Sequence, residues 1–526
     1  MQLPNLSFFV ISDTHYYSKR LGVDGAAYAL DNQKSQKLLK DAQETIEAAF
    51  RQIAKDDRAD IVLLSGDVVN NGELWGHEEM IACLHGLREA GKRVFVITAT
   101  HDYDKGSIYE GDVKRPAPHA EREALWDMYY PFGPQEAIAV HRLSHSYTAQ
   151  LADGYRLLAL NDDRDGMGHS GFSEEMLGWI HEQTELAKQD NQYLIPMTHH
   201  PMIAPSPFYA IIGKNDMMYQ HERFTELFAQ WGIPFCFTGH THIQDISYKI
   251  TANGSLFYDI STASLIGYPG TFRFCVADKN NRMLAVQAEK ITEPVAFEPI
   301  GGTLDSHMEH QFFGMIRDLV AAAASDTVRF AEMARAFSVQ PRVSYKFGWI
   351  LKPIAKCLQK LTIGKVAKWV KAETGMKPAD WAHVKNDSVV EFIIQLVMYL
   401  FAGDSPFTPD TAQYKITIGL LNVIDSFLNV LGIKIEKLVK GAASVRSLVE
   451  PLLYNAGIRD SGAVLPFDAN EKDIAALCPH FEETVRPSKK GLPILLCLVC
   501  LILVMLPFSP LIALLLLIAY LRRDKP

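Results

Sequence analysis

Cysteine is what this chain has least use for. Its seven cysteines (Cys83, Cys236, Cys275, Cys357, Cys478, Cys497 and Cys500) are scattered over 526 residues and odd in number. That excludes a disulfide framework and suits reduced thiols in a cytosolic setting. The one close pair, Cys497 and Cys500, lies in an apolar run, where membrane packing is expected rather than redox or metal chemistry. An excess of positive charge is also missing. With 52 Lys and Arg against 61 Asp and Glu, the net charge is −9, so no nucleic-acid partner is expected. No internal repeat or low-complexity tract is evident. The opening MQLPNLSFFVISDTH has neither a basic n-region nor a small-residue cleavage site, and no secretory signal is expected.

Charge is missing altogether from Gly491 to Leu521. As one helix this run would reach roughly 46 Å, against about 30 Å of bilayer hydrocarbon, and it is expected to enter a membrane. Pro507 and Pro510 near its middle disrupt a helix. Lys489 and Lys490 before it and Arg522, Arg523 and Lys525 after it favour both ends on the cytoplasmic side. A re-entrant hairpin is therefore preferred to a single span, with the bulk of the chain membrane-associated and cytoplasmic.

What is present falls into three parts. Residues 1–295 alternate short apolar runs (SFFVIS, DIVLLS, RVFVIT, YRLLAL, YLIPMT, PFCFTG) with helical patterns at 33–56 and 173–189, which implies a largely parallel sheet with helices on both faces. The stretch from about Ile246 to Ile291 reads as antiparallel strands of a second sheet. Residues 296–488 read as nearly all helix, and residues 489–526 as the membrane anchor. Between Tyr345 and Lys371, Lys346, Lys352, Lys356, Lys360, Lys365, Lys368 and Lys371 interleave with Ile, Leu, Val and Trp, which suits a helix lying on an anionic membrane surface. The apolar stretches 391–403 and 414–439 are expected to be core or partner-facing helices.

The chemistry lies where the strands stop. FFVISDTH delivers Asp13 and His15, VLLSGD delivers Asp67, VFVITATHD delivers His101 and Asp102, LIPMTHHP delivers His199 and His200, and FCFTGHTH delivers His240 and His242. Sites in open α/β sheets form at the carboxyl ends of strands, so these residues should converge. Mixed imidazole and carboxylate suits borderline divalent metals. Asp67 could bridge two ions. The glycines before Asp67 and His240 permit tight turns. In D-x-H and H-x-H, alternate residues would face one way on an extended backbone. His77, His141 and His145, without spaced partners, read as surface or helix residues; His169, in a GMGHSG loop, could border the substrate pocket.

The series DTH…GDVVN…THD…HHP…GHTH over roughly residues 5–290 resembles the calcineurin-like metallophosphoesterases, with their D-x-H, G-D, G-N-H-D/E, H and G-H-x-H pattern. The resemblance implies a β-sandwich flanked by helices, here followed by an all-α region and a C-terminal membrane segment. It implies two divalent ions (Mn, Fe, Zn or Co). Asp13, His15 and His242 would hold one, His199 and His240 the other, and Asp67 both. His101 would act at the scissile phosphate, and Asp102 would orient His101. The implied reaction is hydrolysis of a phosphate ester by metal-activated hydroxide, with a phosphodiester (cyclic nucleotide-like, nucleotide or lipid-linked) favoured. Ala99-Thr100 stands where the family has Gly-Asn, which predicts a weaker second metal site. The alternative reading is a non-catalytic metal-binding membrane scaffold.

Overall fold

The computed structural model describes residues 4–33, 35–164, 170–205, 209, 216–334, 352–353, 355–430, 432–438, 442–454 and 457–478. Every apolar run expected as a strand is one: β1 (Leu6–Ile11), β2 (Ile61–Ser65), β3 (Arg93–Ile97), β8 (Tyr155–Ala159), β9 (Tyr193–Met197) and β10 (Phe235–Thr238). The others are β4 (Ser107–Glu110), β5 (Val113–Pro116), β6 (Ala137–His141), β7 (Ser146–Ala152), β11 (Asp245–Ile250), β12 (Leu256–Ser261), β13 (Thr271–Asp278), β14 (Met283–Lys290) and β15 (Gly462–Pro466).

The parallel strands do not share one sheet, as the alternation of strand and helix suggested. One sheet has the order β15-β14-β13-β1-β2-β3 and the other β11-β12-β10-β9-β8-β7-β6. Nor do the strands after Ile246 form a sheet of their own: β11 and β12 edge one layer, and β13 and β14 extend the other. Period-two alternation explains how each strand serves two cores. Phe8, Val10, Leu63 and Phe95 meet Leu157, Ile195, Phe237 and Ile260 between the sheets. Phe9, Ile11, Val62 and Leu64 turn outward to the helices Ala42–Lys55 and Leu74–Glu89. On the opposite face, Leu158, Leu194 and Cys236 pack on Met176 and Ile180 of the helix Glu174–Gln189 and Phe224 and Phe228 of the helix His221–Gln230. The result is the helix–sheet–sheet–helix sandwich.

The helical stretch expected at 33–56 begins late. Leu39–Asp41 is a short 3-10 turn, and the α-helix runs only from Ala42 to Lys55. Before it, Lys37 bridges to Gly267, and the Leu38 amide donates to the Ile266 carbonyl at 2.8 Å. Tertiary packing overrides local propensity here, because the Leu38 side chain is buried in a second, all-helical core.

That core gathers Ile394 of the helix Val389–Ala402, Leu421 and Ile424 of the helix Ala412–Val430, Val449 of the helix Val445–Leu453, and Phe312 of the helix Leu304–Ser325. The Lys-rich stretch corrects its own expectation. Residues 335–351 and 354 lie outside the described part, and beyond them the stretch is not one helix. A break precedes the helix Ile363–Trp369, and Thr362 bridges to Ser388. Leu358, Leu361, Ile363, Val366 and Val370 are buried in the helical core, so they are not free to insert into lipid, while Lys356, Lys360, Lys365 and Lys368 are exposed. Near its end the described chain returns to the sandwich: β15 pairs antiparallel with β14, and Leu465, Phe467 and Ile474 enter the core between the sheets. Among the described residues, no helix is long and apolar enough to cross a membrane. The run Gly491–Leu521 lies outside them.

Candidate metal centre

The expected ligands converge, by a route the sequence reading did not foresee. Asp13, His15, Asp67, His240 and His242 all lie beyond their strands, at φ between 40° and 64°. The backbone is left-handed at these positions, not extended, so strand alternation is not what brings the pairs together. Non-glycine residues held there cost on the order of 1–3 kcal/mol each. Cross-loop bonds offset this: Asp13 N–H to Gly66 C=O at 3.2 Å, His15 N–H to Asp67 C=O at 2.9 Å and Tyr16 N–H to Val68 C=O at 3.0 Å. Gly66, at φ 95°, is required twice over, since a Cβ there would fall 2.6 Å from His199 Nδ1. At Gly239 a Cβ would fall 1.9 Å from Ser12 Oγ and 2.4 Å from Asp13 Oδ2.

Three interlocking trios result: Asp13, His15 and His242; Asp67, His199 and His240; and His15, Asp67 and His101. Within each, the candidate ligand atoms lie within 4.8 Å of one another. His15 Nε2 is 2.9 Å from His242 Nε2, and His242 Nε2 is 3.3 Å from Asp13 Oδ1. Asp67 Oδ2 lies 3.6 Å from His15 Nε2 and 3.2 Å from His199 Nε2, so one carboxylate faces both groups. Asp13 Oδ1, His199 Nε2 and His240 Nδ1 are buried without a hydrogen-bond partner. Buried polar atoms without partners are costly, and here they share one small space with the Asp13 and Asp67 carboxylates, so the set of side chains fits divalent cations.

The electrostatics agree. Burial would raise the carboxyl of Asp67, yet His199, His101 and His15 hold it well below the ordinary carboxylate range. Burial likewise opposes Asp13, which His15 and His242 hold low. His199 is desolvated, but Asp67, Asp13 and Asp162 push it up to about 10. His15 goes the other way, lowered to about 3 by burial and by Lys37.

Around the ligands, orienting groups fix the rings of His199 and His242. His199 Nδ1 donates to Ser65 C=O at 2.8 Å, leaving Nε2 toward Asp67. Gln36 Nε2 lies 2.7 Å from His242 Nδ1. His200 belongs to a different arrangement, its Nδ1 2.9 Å from Asp162 Oδ1. Asp162 Oδ2 also accepts from Thr198 Oγ1 and from the amides of His199 and His200. Sequence reasoning overlooked Asp162, although it follows β8 as the other acids follow their strands.

Asp102 requires a correction. It does not touch the His101 ring, whose Nδ1 donates to Asn70 C=O at 2.9 Å. Asp102 accepts instead from the amides of Val69 at 2.9 Å and Ala99 at 2.8 Å. It therefore closes the turn that carries His101 and ties it to the loop after β2. Burial and the nearby Asp67 push its carboxyl up to about 8. His77, expected on a surface or in a helix, lies in the helix Leu74–Glu89 and is buried; it lies 2.7 Å from Tyr129 OH and donates to Asp102 C=O at 2.9 Å. His141 is buried too. His169 is outside the described residues.

The family model for calcineurin-like phosphoesterases matches residues 6–244. Among solved structures, the chain is similar to a dimetal phosphatase from Danio rerio at 13% identity, over 55% of this chain and 98% of that one, with a TM-score of 0.37. It is also similar to a purple acid phosphatase from yellow lupin (Lupinus luteus) seeds at 14% identity, over 56% and 53% of the two chains, with a TM-score of 0.33. A sulfate thiohydrolase from Termus thermophilus matches at 12% identity, over 60% and 62%, with a TM-score of 0.31. No curated protein matches the chain.

Proposed function

We propose that this chain, whose residues 6–244 match the family model for calcineurin-like phosphoesterases, is a phosphoric ester hydrolase that works through two divalent ions. Asp13, His15 and His242 hold one, His199 and His240 the other, and Asp67 both. The observation that carries this reading is the set of trios joined through His15 and Asp67 and lined by buried polar atoms without hydrogen-bond partners. Two such ions, when bound, acidify a water and offset charge on the phosphoryl oxygens.

The protein's own groups do the rest. His101 gives Nδ1–H to the Asn70 carbonyl, which leaves Nε2 to exchange a proton with the ester oxygen that departs. Asp102 holds the turn beneath it, and the Asp67 carboxylate accepts the His101 amide at 3.3 Å. Ser65 and Gln36 keep the His199 and His242 imidazoles from rotating out of register, and Asp162 holds the His199 backbone amide. No described residue singles out the phosphodiester expected from the sequence.

The test uses the full chain, stripped by chelator and reloaded with Mn²⁺, with metal content and hydrolysis of an aryl phosphomonoester and diester followed together. Asp67→Asn should lower metal content and reduce turnover by about a hundredfold or more. Undiminished turnover in that variant would refute the assignment. The charge-free run Gly491–Leu521 with its basic flanks supports membrane attachment with the metal centre on the cytoplasmic side. Release of the chain into the soluble fraction on lysis would contradict that attachment.

A further inference from the structure

The helical core takes the apolar half of the Lys-rich stretch and leaves its charge outside. Leu358, Ile363, Val366 and Val370 are buried, while Lys356, Lys360, Lys365, Lys368 and Lys371 are exposed. The fold gathers these lysines into one patch. Lys365, Lys368 and Lys371 follow one another at steps of three along the helix Ile363–Trp369 and the short helix Lys371–Thr374, so successive side chains are neighbours. Lys365 Nζ donates to the Lys360 carbonyl at 2.9 Å, and Lys356 stands four residues before Lys360. Lys385 joins from a separate segment, its carbonyl accepting the Gly364 amide at 3.1 Å, and it too is exposed.

Little in the protein neutralises this patch. Eight lysines stand between residues 352 and 388, against Glu373, Asp380 and Asp387. Glu373 is buried, and Asp380 accepts from the Lys377 amide at 2.7 Å. Among the described residues, the cations of the helical region that make ion pairs are His307, Arg317, Arg329, Lys434 and Arg446, none of them in the patch. Because the whole chain carries a net charge of −9, the patch is a local feature and not part of a generally basic surface. The chain itself points to the anion. The charge-free run Gly491–Leu521 begins 13 residues after Cys478, where the described part ends, and such a link spans at most about 45 Å. A bilayer that takes this run is within reach of the folded helices.

We propose that the patch of Lys356, Lys360, Lys365, Lys368, Lys371 and Lys385 rests on anionic lipid headgroups of the membrane that holds the C-terminal run, by charge and without insertion. The inference rests on the reading of Gly491–Leu521 as the membrane attachment and adds a second, electrostatic contact made by the folded helical region. Insertion is barred because the apolar side chains beneath the lysines are committed to the helical core. Lysines near an anionic leaflet are attracted to it one by one, and salt screens that attraction beyond about 8 Å at physiological ionic strength. Tethering by the C-terminal run supplies the high effective concentration that lets a weak contact of this kind persist.

Cys357, exposed and next to Lys356 in the chain, is a native reporter. The full chain is reconstituted onto preformed phosphatidylcholine vesicles with or without phosphatidylserine. Two readouts are taken: flotation with the vesicles, and the rate at which a water-soluble maleimide alkylates Cys357, followed by peptide mass spectrometry. The chain should float with both compositions. Alkylation of Cys357 should be about tenfold slower on the phosphatidylserine vesicles, and high salt should remove the difference. Lys365→Glu combined with Lys368→Glu should float as before, with Cys357 reacting as it does on phosphatidylcholine. If that pair does not fold, Lys365→Gln with Lys368→Gln should give a smaller shift in the same direction. Flotation with equal alkylation on both compositions would overturn the patch and leave the attachment standing. Protection that persists in high salt would overturn its electrostatic character. Equal protection by a short DNA duplex in place of vesicles would overturn the assignment to lipid. No flotation with either composition would overturn the attachment, and the patch with it.

Discussion

At the scale of residues, the proposed centre divides into candidate ligands and the groups that aim them. Asp67 is the hinge of the arrangement because its carboxylate faces both halves. The second half, Asp67, His199 and His240, has no amide side chain at position 100, where Thr100 stands. Supplying that oxygen with Thr100→Asn should tighten the second ion by about tenfold, read as the weaker step of a Mn²⁺ titration; an unchanged weak step would mean the ring set already suffices. His199 provides a pH signature. Its folded value of about 10 stands above the ordinary 6.5 because Asp67, Asp13 and Asp162 outweigh its burial. A raised imidazole stabilises the fold fully below 6.5 and loses that contribution as pH rises through about 10. The metal-free protein should therefore melt at progressively lower temperature across that window, and His199→Gln should flatten the decline.

At the scale of elements, the strands were legible and the turns after them were not. Runs such as FFVIS and FCFT announce buried strands through β-branched and aromatic residues, and they also mark where polar ligands begin. Left-handed φ at Asp13, His15, Asp67, His240 and His242 has no such signature: Asp and His adopt it more readily than most residues, yet too seldom for the residue type to announce it. Asp162 shows the same limit. It follows β8 as Asp13 follows β1, but only the folded chain shows it holding Thr198, His199 and His200. Replacing Asp162 with Ala would leave two buried amides and a hydroxyl without their acceptor. The expected cost is about 3–5 kcal/mol, measurable as a lowered denaturation midpoint, with weaker metal binding alongside. A midpoint equal to wild type would mean that water replaces the carboxylate.

At the scale of the whole molecule, the helical region is built into the sandwich. Leu38 and Tyr268 enter the helical core, Gln244 N–H donates to Phe401 C=O at 2.8 Å, and Asp460 Oδ1 accepts from the Ile246 amide at 2.8 Å. These contacts grip residues 35–38, which run beside His242, and the chain just beyond that histidine, while β15 covers the edge of β14. A chain ended at residue 300 should therefore lose thermal stability and bind Mn²⁺ more weakly than one ended at 478. Equal melting and metal affinity for the two would show that the helices are dispensable to the centre.

The sequence by itself determined the strands, the candidate ligand residues at their ends and the family they resemble, because buried apolar runs and the chemistry of imidazole and carboxylate are local properties. Tertiary structure alone decided the division of the parallel strands between two sheets, the left-handed turns that aim the ligands, the transfer of the His101 contact from Asp102 to the Asn70 carbonyl, and the course of residues 35–38 past His242. Each of these depends on which distant segments press together, and the physical reason is the same throughout. Leu38 leaves the helix its neighbours favour because a core more than 200 residues away in sequence buries it.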